Sequence, residues 1–132
     1  MLMKSVMFVC RKNSARSQMA EGFARKLGEG KIAVASSGLE ASAVRPEAIA
    51  TMKAIGIDIS AQTSDALSDF NPKDFEVIIS LCGCGVSLPK AWLTRAYFDD
   101  WALEDPAERP EIFPAIRDEI KKRVVDLIEK IS

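Results

Sequence analysis

The sequence contains no histidine. Histidine is the side chain that most often acts as a general base near neutral pH and that most often binds metal ions in proteins. Cysteine is also scarce, with three residues among 132, and this odd, sparse set does not resemble the disulfide framework of a small secreted protein. Nucleophilic chemistry in this chain must therefore depend on thiols, carboxylates and arginine.

Strong net charge and long apolar runs are lacking as well. The formal net charge is −1, which provides no basic surface for nucleic acid or for an anionic membrane. The apolar runs at 6–10 and 77–79 have the length of strands and are far shorter than a membrane span, and the N-terminus lacks the pattern of a signal peptide. We therefore expect a cytoplasmic protein with no nucleic-acid or membrane partner.

The apolar segments predict an α/β fold in a single domain over residues 1–132. We expect strands at 4–9, 32–35 and 75–81 and a shorter one near 96–98, with helices at 17–27, from Pro46 to about 55, and from about Pro110 to the end. Strands that are apolar throughout and alternate with helices are typical of a parallel sheet covered on both faces. The prediction is a three-layer fold, a four-stranded parallel sheet with helices on both faces.

A short polar loop follows the first strand at a cysteine. Ligands of such sheets bind at the carboxyl ends of strands, and Cys10 occupies one such end. Five residues separate Cys10 from Arg16, and Ser17 begins a helix, so the loop is suited to bind an oxyanion with its backbone N–H groups and the Arg16 guanidinium. Ser17 can donate a hydrogen bond to the sulfur and keep it ionised. The predicted oxyanion-binding loop consists of Arg11, Lys12, Asn13, Ser14, Ala15 and Arg16.

The alternative for Cys10 is a small apolar residue that only completes a buried strand. That alternative does not account for an arginine and a serine at this spacing. Asn13 also suits the loop, because asparagine tolerates the left-handed backbone conformation that a tight loop requires.

The other two cysteines, Cys82 and Cys84, follow a predicted strand, so Cys82 should lie at the same sheet edge as Cys10. Glycines flank Cys84 and give the backbone freedom to move a thiol towards another sulfur. A zinc site lacks the ligands it would need. Two inert buried cysteines remain an alternative, although a Gly-Cys-Gly segment is rarely part of a hydrophobic core.

Farther along the chain, Asp105 precedes a proline. It is either a turn residue or, in a chain without histidine, a proton donor.

The segment VMFVCRKNSARSQMAEGFA resembles the phosphate-binding loop of the low-molecular-weight protein tyrosine phosphatase family, and more closely its arsenate-reductase branch. The later segments SSGLE, GIDIS, TSD, ISLCGCG and WALEDP also occur in the order typical of the family, so the similarity spans essentially the whole chain. The resemblance implies the phosphatase-like α/β fold, reduction of arsenate to arsenite for arsenic detoxification, and Asp105 as general acid. Phosphate would bind as an analogue of arsenate.

The resemblance also implies a relay of thiols. Cys10 would form a covalent adduct with arsenate, a second thiolate, most simply Cys82, would attack the Cys10 sulfur, and Cys84 would then exchange onto Cys82. Pairing of Cys10 with Cys84 in the first exchange is the alternative. The spacing of Cys82 and Cys84 is similar to that of the cyanobacterial type, which is reduced through glutathione and glutaredoxin; in thioredoxin-coupled relatives the third cysteine lies farther on. We therefore expect glutaredoxin rather than thioredoxin as the reductant, glutathione as co-substrate, and no tightly bound cofactor.

Relatives of this fold bind potassium beside the loop, and the matching oxygen-bearing residues are Asn13, Glu21, Ser36 and Asp65. The resemblance thus implies a monovalent cation site, and a hydrogen-bond network that holds the loop is the alternative.

Two other functions use the same loop. A phosphatase acting on phosphomonoesters or phosphotyrosine through a Cys10 phosphoenzyme needs Asp105 but neither Cys82 nor Cys84. The phosphatase hypothesis is weakened by Ala107 and Glu108, because phosphatases of the family usually carry aromatic residues there. Weak phosphatase activity is expected even if the protein is an arsenate reductase. The third is a non-enzymatic oxyanion or thiol sensor.

Overall fold

The computed structural model describes residues 4–83 and 87–131, so Cys84 lies outside the described residues. Four strands form one parallel sheet in the order β2-β1-β3-β4. The strands are β1 (Lys4–Cys10), β2 (Ile32–Gly38), β3 (Val77–Ser80) and β4 (Tyr97–Asp100), and the helices are α1 (Arg16–Leu27), α2 (Pro46–Lys53), α3 (Lys90–Leu93) and α4 (Phe113–Ile131). The predicted four-stranded parallel α/β fold is confirmed.

Both faces of β1 are buried, which explains why its sequence is apolar without alternation. Val6 and Phe8 belong to a core cluster with residues of α1 and α4, among them Phe23 and Ile120. Met7, on the other face, packs in a second cluster with residues from the 67–75 segment and from α3. The sheet is therefore covered by the long helices on one side and by shorter segments on the other.

The structure differs from the predicted elements mainly where segments are short. β4 covers Tyr97–Asp100 instead of 96–98, and the last helix begins as a 3-10 turn at Pro110–Ile112 before α4. α3 and the 3-10 helices at Leu67–Asp69 and Pro72–Asp74 were not predicted. Elements of three or four residues are too short to show a hydrophobic period.

The sheet register places two of the cysteines at one edge. Val9 of β1 pairs with Ser80 of β3, and the N–H of Leu81 donates to the carbonyl of Val9 at 2.8 Å. Cys10 is the last residue of β1 and Cys82 follows β3 by two residues, so both lie at the carboxyl edge of neighbouring strands. In the described ranges, no helix has the length and apolar character needed to cross a membrane.

Burial on α4 predicts how much each of its isoleucines contributes to stability. Ile120 is fully buried, and Ile120→Ala should lower the free energy of unfolding by about 2–5 kcal/mol because it leaves a cavity. Ile116, one turn earlier, is only half-buried, and Ile116→Ala is the matched control with a smaller loss. Urea titration followed by circular dichroism measures both; equal losses would contradict the assignment of Ile120 to the core.

Candidate active site

The carbonyl groups of the loop after β1 are all turned away from its centre by hydrogen bonds. Six consecutive carbonyls accept from donors outside the loop or farther along α1, and the distances lie between 2.8 and 3.2 Å. The donors, in order from the carbonyl of Cys10 to that of Ala15, are Leu39 N, Glu40 N, Ser64 Oγ, Gln18 Nε2, Arg45 N and Met19 N.

The orientation of these carbonyls determines the direction of the N–H groups. In a trans peptide the C=O of one residue and the N–H of the next point in opposite directions, so the N–H groups of residues 11–16 face the inside of the loop. They face a cavity of about 230 Å³ that is lined by Cys10, by most of the loop, by Arg45, and by Asp105, Ala107 and Glu108. Such a concave set of backbone N–H groups at the start of a helix is an anion-binding arrangement.

A chain of hydrogen bonds ends on the thiol of Cys10, which is free and buried. The side-chain amide of Asn13 donates to Ser17 Oγ at 2.7 Å, and Ser17 Oγ lies 2.9 Å from Cys10 Sγ. Because the Ser17 oxygen already accepts from Asn13, its own hydrogen is available for the sulfur. The chain therefore leaves Ser17 free to donate a hydrogen bond to the Cys10 sulfur.

Asn13 connects this chain to the residues predicted to bind potassium. It has φ of 51°, the left-handed conformation expected from the sequence. The Asn13 amide also donates to Ser36 Oγ at 3.0 Å, and Ser36 in turn donates to Glu21. The Oδ1 atom of Asn13 accepts from the backbone N–H of Asp65 at 2.9 Å. The four residues are thus brought together, and their contacts fit the hydrogen-bond network better than a cation because the Asn13 amide N–H groups face the other oxygens. The potassium site stays a prediction.

Gly38, at the end of β2, lies directly beneath the loop. A Cβ atom at this position would lie 2.7 Å from Asn13 N and 2.8 Å from the carbonyl carbon of Lys12. Both are backbone atoms that cannot move aside without moving the loop. Glycine is needed here for close approach, a role that the segment SSGLE did not reveal by itself.

Arg16 links the oxyanion loop to the segment that carries Asp105. Its side chain is only 8% exposed, lines the cavity, and donates from Nη1 to the carbonyl of Leu103 at 2.8 Å. Its Nη2 lies 3.7 Å from Asp105 Oδ2. The other oxygen of Asp105, Oδ1, accepts from Ala107 N and so caps the short 3-10 helix Pro106–Glu108. Asp105 therefore keeps one carboxylate oxygen at the mouth of the cavity, where a proton donor would be needed.

Sequence reasoning missed two residues of the site, Arg45 and Gln18. Arg45 lines the cavity and pairs with Glu47 at 2.8 Å, and this hydrogen bond lowers the pKa of the Glu47 carboxyl. Gln18 is fully buried and donates to the carbonyls of Asn13 and Thr63. The only signals were an arginine before the helix-starting proline and a glutamine in the first turn of α1.

The structure also places the predicted second cysteine beside this site. Cys82 is half-buried against the core cluster that contains Cys10 and Trp101, and its Sγ lies 3.7 Å from Ser80 Oγ. The third predicted residue, Cys84, lies outside the described residues. The described edge thus carries a free thiol at an anion-binding cavity and a disulfide-bonded cysteine, Cys82, after the neighbouring strand.

This fold and this site define the class of protein. Residues 5–132 match the family described as low molecular weight phosphotyrosine protein phosphatase, and the chain belongs to that family.

Particular relatives lie within the branch implied by the sequence. The chain is 60% identical, over 98% of its length and 100% of the relative, to a glutaredoxin arsenate reductase from Synechocystis sp.. It is 40% identical to an arsenate reductase from Staphylococcus aureus, over 92% of this chain and 93% of the relative. A solved structure described as an arsenate reductase in the phosphate binding state has 60% identity and a TM-score of 0.93, covering 98% of this chain and 100% of that one.

The contact beneath the loop predicts that Gly38→Ala disables the site. The added methyl group would displace the backbone at Lys12 and Asn13, so hydrolysis of p-nitrophenyl phosphate should fall by at least about tenfold, the loss that displaced binding groups typically cause. Gly30→Ala is a control because a Cβ there meets nothing within 4 Å, although its φ of +79° adds some strain. An active Gly38→Ala protein would contradict the close approach.

The hydrogen-bond chain on Cys10 predicts slower thiol chemistry in Ser17→Ala. Without the Ser17 hydroxyl, the sulfur loses its donor, and alkylation of Cys10 by iodoacetamide at pH 7 should slow several-fold. Peptide mass spectrometry measures the rate, and Ser42→Ala, whose side chain is exposed, is the control. Unchanged alkylation would show that the serine does not stabilise the thiolate.

Proposed function

We propose that this protein reduces arsenate to arsenite, with Cys10 as the nucleophile. The observation that carries the proposal is the free Cys10 thiol at the base of a cavity lined by six inward N–H groups and Arg16, with Cys82 at the end of the adjacent strand. The Synechocystis relative, named a glutaredoxin arsenate reductase, supports the same substrate for this chain.

In the first step, the loop N–H groups and the Arg16 guanidinium bind the oxygens of arsenate above the sulfur. The Cys10 thiolate attacks arsenic, an S–As bond forms, and one oxygen leaves as water after it accepts protons. Asp105, at the mouth of the cavity, is the group placed to donate a proton.

In the second step, the Cys82 thiolate attacks the Cys10 sulfur. An S–S bond forms between the two cysteines and the S–As bond breaks, leaving its electron pair on arsenic. Arsenic is thereby reduced from the +5 to the +3 state and leaves as arsenite, while two thiolates are oxidised to one disulfide.

Regeneration needs an external reductant. Exchange of Cys84 onto Cys82 frees Cys10 and leaves a disulfide between Cys82 and Cys84, which a dithiol or glutathione can reduce. We propose glutathione and glutaredoxin for this role, supported by the name of the Synechocystis relative. Thioredoxin is the second candidate reductant.

Hydrolysis of phosphomonoesters is a second candidate activity. Membership of the phosphatase family and the proximity of Asp105 to Arg16 favour it, because a phosphoenzyme on Cys10 would need the same two groups. The residues at the mouth beyond Pro106, namely Ala107 and Glu108, offer no aromatic surface for a tyrosine ring. We propose weak activity towards small phosphomonoesters.

The test is arsenate-dependent oxidation of NADPH, coupled in parallel to glutathione with glutaredoxin and to thioredoxin, on the parent, Cys82→Ser and Cys84→Ser proteins. We expect turnover with the glutaredoxin system in the parent and a loss of at least about 100-fold in both variants, since an essential electron-transfer group is removed in each.

Hydrolysis of p-nitrophenyl phosphate by the same three proteins is the internal control, because it needs Cys10 but neither Cys82 nor Cys84. Equal hydrolysis by all three, with no arsenate turnover in any reductant system, would replace the reductase with a phosphatase. Binding of arsenate without turnover or hydrolysis would indicate a sensor.

A further inference from the structure

The carboxylate of Asp100 joins the segment of Cys82 to the segment of Asp105. Its Oδ1 accepts two hydrogen bonds, from the backbone N–H of Gly83 at 3.0 Å and from that of Ala102 at 2.8 Å. Asp100 is the last residue of β4, so a fixed sheet position holds both segments. Gly83 is the residue directly after Cys82.

The backbone at both bonded positions has an unusual conformation. Gly83 has φ of 72° and Ala102 has φ of 48°, a conformation that alanine rarely adopts. A Cβ at Gly83 would lie 3.6 Å from Ala102 Cβ, so the two turns lie close together. The Asp100 carboxylate compensates the strain at Ala102 by accepting from its N–H group.

Further hydrogen bonds connect this pair of turns to the anion site. Leu103 N donates to the carbonyl of Leu81 at 2.9 Å, and the carbonyl of Leu103 accepts from Arg16 at 2.8 Å. Leu81 is the residue directly before Cys82, and Leu103 is the residue directly after Ala102. The position of the Cys82 backbone relative to the Arg16 site is set on one side by Leu81 and on the other by Gly83.

We propose that Asp100 is a positioning residue for the exchange between Cys10 and Cys82. Its acceptor oxygen fixes Gly83 and so sets the backbone position of Cys82, which is disulfide-bonded in this structure and packs against the core cluster that contains Cys10. In the reduced protein the same contact holds the Cys82 thiol at this position. This raises the effective concentration of one sulfur at the other. The inference rests on the proposed function: Cys82 attacks the Cys10 sulfur, the S–S bond forms, and arsenic keeps the electron pair of the broken S–As bond.

The test measures the exchange separately from the first step. In a Cys84→Ser background, formation of the Cys10–Cys82 disulfide after mixing with arsenate is followed by quenching with N-ethylmaleimide and intact mass spectrometry. Asp100→Ala should slow this step on the order of tenfold, as expected for a displaced reacting group. Asp100→Asn keeps an acceptor oxygen and should stay within about twofold of the parent rate.

Two controls separate positioning from charge and from general damage. Asp99→Asn removes the neighbouring exposed charge while keeping an oxygen for the N–H of Asp100, which it contacts at 2.9 Å, and should react at the parent rate. Hydrolysis of p-nitrophenyl phosphate, which does not use Cys82, should be unchanged in Asp99→Asn and Asp100→Asn and should fall clearly less than the exchange in Asp100→Ala. Parent-like exchange in Asp100→Ala, or equal loss of exchange and hydrolysis, would overturn the proposal.

An arsenate-free arm distinguishes this proposal from the proposed function. Diamide, a two-electron thiol oxidant, converts the same two thiols to a disulfide and is itself reduced to the hydrazine. If the parent protein forms the disulfide with diamide but not with arsenate, the proposed arsenate reduction is contradicted. The effect of Asp100 on the rate of disulfide formation can still be measured with diamide. Slower diamide-driven closure in Asp100→Ala than in Asp100→Asn supports the positioning role, and identical rates contradict it.

Discussion

The site depends on the outward hydrogen bonds of the loop carbonyls. A six-residue loop with its N–H groups converging is unfavourable alone, because the N–H dipoles repel each other and the carbonyls would otherwise compete for the same interior. Groups from the segment after β2, from α1 and from the 62–66 segment remove that competition by donating hydrogen bonds to the loop carbonyls. The sheet contributes by ending β1 at Cys10 and bringing Gly38 beneath the loop.

The guanidinium of Arg16 is also held in place by a hydrogen bond to a group outside the loop. Arg16 is held by the carbonyl of Leu103, and Leu103 is held by the carbonyl of Leu81, which precedes Cys82. The group that binds the oxyanion and the backbone of the second cysteine are therefore parts of one hydrogen-bonded unit. Fixed donors and acceptors of this kind reduce the reorganisation needed when a charged substrate binds.

Much of the fold could be predicted because β1, α1 and α4 carry strong hydrophobic patterns, and these elements make most of the core. The proximity of Cys10, Arg16 and Ser17 could be predicted as well, because their spacing is local. The roles of Gly38 and Arg45 could not, because they act across 20 or more residues of sequence on a backbone whose path is defined only after folding. Gln18 donates to the carbonyl of Asn13, five residues away, and also to that of the distant Thr63. Similarly, Asp100 is an ordinary strand residue until Gly83 lies against it.

The dispersed origin of the donors has a consequence for the newly made chain. The carbonyl of Lys12 accepts from Ser64, and that of Arg11 accepts from Glu40. The oxyanion-binding loop is therefore complete only after about half of the chain has been synthesised and has folded against it. Before that stage the loop lacks the donors that turn its carbonyls outward, so Cys10 does not yet lie in an oxyanion site. The capacity to bind an oxyanion against the sulfur is thus acquired together with the native structure.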